Sequence, residues 1–425
     1  MQHAAFPDGL SRDRLIDWYR ETRKVSRALF SIPTEDAYYD RPIRLRNPIV
    51  FYEGHLPAFA VNTLIKLALK RDGIDDELET LFARGIDPEN EEAAKTPTDF
   101  WPSRADVQRY GANAEDQIIR ALCDGPIDDG LVPQRRNAEA AFTIVEHELM
   151  HQETLLYIFH ELPYERKNRI VPLRSGRMRT PSTPVIKDMI RIPAGDATLG
   201  ADGAAFGWDN EIPQMRVAVG EFDIDRHNVT NGDYLEFVRA TGAEGPHFWL
   251  ERDGVWFRRG MFDLAPLPLD CPVYVTFEQA SAYAAWRGKR LPSEAEYHRA
   301  AFGTPGGEER SFPWGDALPD ATRGNFGYAN WDTVPVGSYP DGVSAWGVHD
   351  LVGNGWEWTS TLFEPFPGFA PMSSYPVYSA DFFDGKHYVL KGASPATAPE
   401  LIRRSFRNWY RPAYPYVYAT FRCCA

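Results

Sequence analysis

Partway along this chain the apolar residues change period, and no single regular architecture serves both patterns. Up to about residue 162 they recur at helical spacing; from about Met189 they gather in short runs broken by Gly, Pro, Asn and Asp. The first pattern makes helices that bury one face, the second makes short strands joined by turns. A chain of 425 residues has room for about two or three domains of ordinary size.

Four segments carry the helical period. Ser11 stands as an N-cap before Leu15, Ile16, Trp18 and Tyr19. Further stretches run from Pro57 to Lys70, from Asn113 to Leu122 and from Asn137 to Leu162. Together they predict a helix bundle over residues 1–165. Residues 166–188, rich in Pro, Arg and Ser, read as a linker packed on a domain surface. Residues 189–425 predict a mixed α/β domain, with strands in Met189–Gly195, Met215–Ile224 and His387–Ser394 and helices over Asn231–Ala240 and Phe277–Arg287. Aromatic residues make up 13% of the chain and gather after residue 310, which suits a loop-rich domain pinned by ring packing.

The formal charge of −14 opposes a nucleic-acid role, which needs a basic face, and opposes a polybasic membrane anchor. Cys123, Cys271, Cys423 and Cys424 are too few and scattered for a disulfide framework. Residues 1–15 lack the apolar core of a signal peptide, and no apolar run is long enough to span a membrane. The expectation is a cytoplasmic protein with neither nucleic-acid nor membrane partners.

Chemistry concentrates in the longest helix, at Glu146-His147-Glu148-Leu149-Met150-His151-Gln152-Glu153. Imidazoles four residues apart share a helix face and can hold one divalent metal; the bland alternative is a pair of solvated helix histidines. Glu153 follows His151 by about 200° of helix turn, so it points away from that face and serves better as a packing or steadying group. His55, between Gly54 and Pro57 at the head of an apolar helix, is the candidate third ligand. Three neutral imidazoles suit Zn, Cu, Fe or Ni and leave open positions, so ligand chemistry alone does not choose the metal.

Longer motifs narrow the choice. The His147-xxx-His151-x-Glu153 pattern in a helical setting resembles the DinB-like four-helix bundle. Ile192–Gly195, Asn228–Asn231, Gly288–Tyr297, Pro313–Asp316 and Gly353–Thr359 resemble the formylglycine-generating-enzyme (sulfatase-modifying factor) fold, a C-type-lectin-like mixed α/β domain. The fusion, an α+β two-domain architecture, resembles the sulfoxide synthases of ergothioneine biosynthesis and the related selenoneine synthases. That resemblance implies Fe(II) on His55, His147 and His151, a site between the domains, and hercynine and O2 as substrates. A sulfur or selenium donor would then be coupled to the imidazole carbon between the two nitrogens. It also implies that Asn408 and Trp409, and with them Tyr410, contact substrate, and that a tyrosine such as Tyr375, Tyr378 or Tyr410 donates a proton or electron.

The chain departs from the family at two places. Met150, like Arg411 an expected further substrate contact, stands before His151 where relatives commonly carry Gln near the substrate imidazole. Tyr410 follows Asn408-Trp409 where the γ-glutamylcysteine users carry an acid. Both departures point to selenoneine synthesis from a selenosugar, with a sulfoxide synthase using cysteine or γ-glutamylcysteine as the alternative. Hercynine's quaternary ammonium calls for aromatic faces, which residues 406–418 supply. Its carboxylate calls for an arginine, and Arg403, Arg404, Arg407 and Arg411 are available, most of them expected in ion pairs. Gly355-Trp356-Glu357-Trp358 reads as structural, and neither Cys423 nor Cys424 as a formylglycine-type catalytic cysteine. Two other classes stay open: a zinc-dependent DinB-type thiol transferase and a non-catalytic binding module.

Overall fold

The computed structural model describes residues 11–83, 100–176 and 187–425. Most of the N-terminal stretch read for a signal peptide, and the linker's residues 177–186, lie outside the described residues.

Helix α1 (Arg12–Leu29) starts where Ser11 accepts from the Arg14 N–H at 3.3 Å. Helix α2 (Ile49–Ala60) corrects the expected boundary: it begins at Ile49 rather than Pro57, and His55 lies within it. All its residues but Glu53 are buried, so there is no polar face to reveal a period. Pro57, with no N–H to give, sits inside the helix. The chain continues as a π-helix (Val61–Ala68), a form that recurs at functional sites. A short helix α3 (Asp76–Leu81) leads to Phe82. Helix α4 (Arg104–Asp124) starts well before the expected Asn113, because its first turns are polar apart from Val107 and Tyr110. Helix α5 (Glu139–His160) agrees with the expected Asn137–Leu162 to within two residues at each end.

The second half is a set of small sheets. Strands β1 (Met189–Ile192) and β4 (Phe222–Asp225) pair, as do β2 (Gly195–Leu199) and β3 (Met215–Val219). Helices α6 (Asn231–Thr241) and α7 (Phe277–Trp286) lie where expected, flanking a three-stranded sheet of β5 (Trp249–Arg252), β6 (Val255–Arg259) and β7 (Leu264–Pro266). Helix α8 (Glu294–Phe302) was not anticipated as an element. Its mark is the capping box of Ser293 and Glu296. The central sheet has the order β10 (Asn408–Tyr410), β9 (Tyr388–Ala393), β8 (Gly355–Leu362), β11 (Ala419–Thr420), with β11 parallel to β8. A buried pair, Arg422 with both carboxylate oxygens of Glu357 at 2.7 Å, ties β8 to the chain's last residues. The described part of the linker lies along this half: the Leu173 N–H reaches the Tyr328 carbonyl, and Arg174 pairs with Glu400.

Helix α5 joins the two halves. Glu139, Glu146, Met150, Glu153 and Tyr157 fall within about 60° around its axis. Each meets the second half. Glu139 accepts from the Ser374 N–H and hydroxyl at 2.7 and 2.6 Å. Glu146 accepts two bonds from Arg403, each 2.9 Å. The Tyr378 hydroxyl donates to the Met150 sulfur at 3.1 Å. Glu153 accepts from Trp356 Nε1 at 2.6 Å, Ser394 Oγ at 2.6 Å, Thr397 Oγ1 at 2.8 Å and its own neighbour Tyr157. The Tyr157 ring meets Tyr418 edge-on at 4.7 Å. On the opposite side of α5, Glu148 accepts from Arg23 and Ser26 of α1, and Gln152 donates to the Thr22 carbonyl.

The Glu153 carboxylate answers buried donors from three separate residues of the second half. Glu153→Ala leaves them unpaired, at roughly 1–3 kcal/mol for each unsatisfied group. The expected loss in denaturant unfolding is about 3 kcal/mol or more, with Glu153→Gln, which keeps one acceptor oxygen, losing less. A loss below about 1 kcal/mol would show that water replaces the carboxylate and that this contact does not hold the halves together.

Candidate metal centre

His147 and His151 stand about 110° round α5 from the stripe that meets the second half. That phase turns them towards α2, where His55 waits. The ring centroids are 4.4 Å apart for His147 and His151, 5.2 Å for His55 and His147, and 5.0 Å for His55 and His151. One ring nitrogen from each lies within 4.8 Å of the other two. Glu153 is outside this group, as its helix phase requires.

His55 is oriented by its neighbour in space. Its Nδ1 lies 2.8 Å from the Phe82 carbonyl, an acceptor only, so Nδ1 carries the proton and Nε2 keeps its lone pair. Gly54 makes this approach possible: a Cβ there would stand 2.4 Å from the Phe82 ring. The histidines are walled by rings. Phe59 stacks on His147 at 3.5 Å and Phe51 on His55 at 5.1 Å, while Tyr52 lies 6.0 Å from His151.

This setting keeps the imidazoles neutral. Burial pushes His55 down to about 4, against the opposing bond to Phe82. Burial, then the neighbouring histidines, hold His147 well below its usual value; burial, His55 and Arg46 do the same for His151. Both ring nitrogens of His147 and Nδ1 of His151 are buried without a hydrogen-bond partner. Buried polar atoms are rarely left so, and a divalent metal would take the lone pair of one nitrogen on each ring. The residues present fit a metal ion held by three neutral nitrogens.

The second half contributes the remaining wall. Tyr375 comes within 6.0 Å of His147 and 5.1 Å of Phe59, ring to ring. Tyr378 packs on Trp208 at 4.0 Å and touches Trp409 edge-on at 5.3 Å. Trp409 is thus linked to Met150 through Tyr378; it also stacks on Phe363 at 4.2 Å and meets Phe382 at 5.6 Å. Asn408 is half-buried on β10, its side-chain oxygen taken by the Trp409 N–H. Tyr410 packs instead on Tyr414 and, more distantly, Tyr157. Arg411 is exposed, and its charge acts on Asp384.

The other arginines of that segment are occupied: Arg403 with Glu146 and Glu211, Arg404 with Glu309, Arg407 with Glu294. Sequence reasoning missed Arg46, whose charge reaches His151 and whose guanidinium lies 5.7 Å from the Tyr414 ring centroid. It sits between expected helices, where no local pattern marks it.

Residues 175–425 match the family model of the sulfatase-modifying factor enzyme 1-like domain. Over nearly its whole length the chain is similar to a hercynine oxygenase of Mycolicibacterium smegmatis, 33% identical, with 97% of this chain and 99% of that protein aligned. It is 30% identical to ergothioneine biosynthesis protein 1 of Schizosaccharomyces pombe, an alignment that takes in 90% of this chain and 52% of that protein. A formylglycine-generating enzyme of Mycobacterium tuberculosis is 30% identical over 54% of this chain and 92% of its own length.

The Gly54–Phe82–His55 arrangement can be tested directly. Gly54→Ala forces Phe82 away and with it the carbonyl that aims His55. Overpacking of this kind costs about 1–3 kcal/mol, and loss of a ligand's outer hydrogen bond costs roughly 10–100-fold in metal affinity. Titration of the metal-free protein with Fe(II) or Co(II) reads the affinity; a value equal to wild type would show that Phe82 does not orient His55.

Proposed function

The chain belongs to the hercynine oxygenase family, and from that premise we propose that it couples a selenium or sulfur donor to the imidazole carbon of hercynine, using O2 and an Fe(II) ion held by His55, His147 and His151. The observation that carries this reading is the buried histidine cluster itself, with ligand atoms within 4.8 Å and lone pairs that nothing else answers. Three neutral nitrogens suit zinc as well as iron. The oxidative character of the family favours iron, which supplies the one-electron chemistry with O2 that zinc lacks.

The chain's own residues shape what can happen there. Phe51, Phe59 and Tyr375 give the centre apolar walls that exclude water and offer ring faces to a quaternary ammonium. Arg46 is a cation on the His151 side, placed to attract a carboxylate. The Tyr378 hydroxyl, which burial holds well above its usual pKa, donates a hydrogen bond to the Met150 sulfur. Tyr375, beside His147, is the better placed of the site tyrosines to pass a proton to a reacting group, whereas Tyr410 packs on Tyr414 and Tyr157.

Two features favour a selenosugar as the donor. Met150 presents a soft, polarisable thioether where relatives carry an amide, a surface suited to selenium. Tyr410 stands where users of γ-glutamylcysteine carry an acid for the donor's amino group, and a tyrosine hydroxyl and ring suit a sugar instead. Asn408 and Trp409, on the same strand, complete this side of the substrate space.

The test is a donor competition. Protein loaded anaerobically with Fe(II) is given hercynine with selenosugar, thiosugar, cysteine or γ-glutamylcysteine, exposed to air, and the products are identified by mass. A coupled selenosugar product is expected, with His151→Ala losing at least about a thousandfold in turnover, as expected when the group that generates the reactive species is removed. Turnover of γ-glutamylcysteine alone would replace the selenium reading with a sulfur one. Full activity with Zn(II), or no O2 uptake with any donor, would sink the iron reading.

A further inference from the structure

The segment between Met372 and Ser379 carries both site tyrosines yet forms no strand or helix. A loop without ladder bonds is placed by the side chains that grip it. Ser374 is 4% exposed, and both its N–H and its hydroxyl are taken by one oxygen of Glu139. The adjacent Ser373 carbonyl accepts from Gln134 at 3.3 Å. At the far end Ser379 is fully buried and its hydroxyl donates to Asp209, whose carboxyl also meets the backbone of Met372. Between these anchors Pro376 and Val377 are exposed, and the Tyr378 N–H closes a turn on the Tyr375 carbonyl at 3.0 Å. The ends of the loop are sunk, its tip is out, and the two tyrosines hang from the stretch between.

Both anchors are themselves tied to the centre. Glu139 is the first residue of α5, the helix that bears His147, Met150 and His151. The two residues before it, Asn137 and Ala138, have φ of 54° and 53°. A left-handed backbone costs a residue with a side chain roughly 1–2 kcal/mol, so the way this helix begins is imposed by something beyond local preference. Asp209 follows Trp208, whose ring packs on Tyr378. The turn that grips Ser379 therefore also supports the tyrosine one residue before it.

We propose that Glu139 and Asp209 are positioning residues for the reaction centre: they clamp the segment Met372–Ser379 so that Tyr375 stands at His147 and Tyr378 on Met150. The inference rests on reading the histidine cluster as the reaction centre. Neither carboxylate touches the histidines; each acts through the loop. Glu139 refers the loop to the same helix as two of the three histidines, so the tyrosines keep their register with the metal face.

The test uses the full chain and two independent readouts. In metal-free protein, amide hydrogen exchange over residues 372–379 is expected to quicken in Glu139→Ala and in Asp209→Ala while the middle of α5 keeps its protection. In Fe(II)-loaded protein, kcat for hercynine coupling is expected to fall about tenfold or more, since misplacement by about an ångström can cost that much, while Fe(II) affinity stays within about twofold, as expected where no ligand or ligand partner is lost. Glu139→Gln keeps an acceptor oxygen for Ser374 and should recover most of the rate, which a defect of general stability would not predict. Unchanged exchange in both alanine variants overturns the proposal, as does unchanged kcat despite quickened exchange, or a rate loss matched by loss of Fe(II) affinity. Should the wild-type protein fail to turn over hercynine with any donor, the functional reading fails, and the exchange measurement still decides whether the clamp exists.

Discussion

The rotational setting of α5 governs the rest of this molecule, and Glu153 fixes that setting. A helix can slide or turn against an apolar surface at modest cost, because dispersion and burial are not directional. A buried carboxylate held by an indole N–H and two hydroxyls from another part of the chain cannot. A slip of one residue rotates the helix by about 100° and would withdraw that oxygen pair from every donor of the second half. It would also carry His147 and His151 away from His55. The bonds that hold the halves together thus hold two of the three histidines in phase with the third, although none of them touches a histidine. Burial raises the Glu153 carboxyl against the pull of its donors, so losing those donors would leave a costly group in the interior.

Much of this was legible because it depends on residues close in sequence. The i, i+4 pair, the phase of Glu153 and the existence of α5 follow from a 3.6-residue turn. The structural part of Trp356 follows from its motif, and the bond to Glu153 gives it a partner. What was not legible depends on surroundings rather than spacing. The start of α2 was hidden because Ile49–Ala60 is buried on almost every side and so has no period to read. His55 was found, but its orientation rests on Phe82, which approaches only because residue 54 lacks a side chain. Choosing among Tyr375, Tyr378 and Tyr410 was beyond any local rule. The loop that brings the first two to the centre is anchored by Glu139, 235 positions away in sequence, whereas Tyr410, next to the Asn-Trp pair, packs to one side.

Charge is arranged with equal economy. Glu146 and Glu148 flank His147 in sequence, and a divalent ion would attract either if it were free. Neither is. Glu146 is held by Arg403, which also grips Glu211, and Glu148 is held by Arg23 and Ser26. Buried pairs of this kind add little net stability, because desolvation consumes most of the Coulomb gain. Their effect here is one of exclusion. They keep carboxylates away from the metal face and fix α5 from two sides, one through α1 and one through the second half.

That exclusion bears on what the centre would accept. Three neutral imidazoles leave the charge of a divalent ion uncompensated, and the surrounding phenyl and phenol rings offer little to screen it. In a dry site an uncompensated charge is felt far more strongly than in water. An open position there would favour an anionic ligand over a neutral one, which would suit the proposed donor as a selenolate or thiolate. A carboxylate from the protein in the ligand set would have cancelled part of that preference. The helix phase that turns Glu153 outward, and the arginine that occupies Glu146, therefore do more than build the fold: with the proposed ion in place, they would preserve its positive charge for an anionic donor.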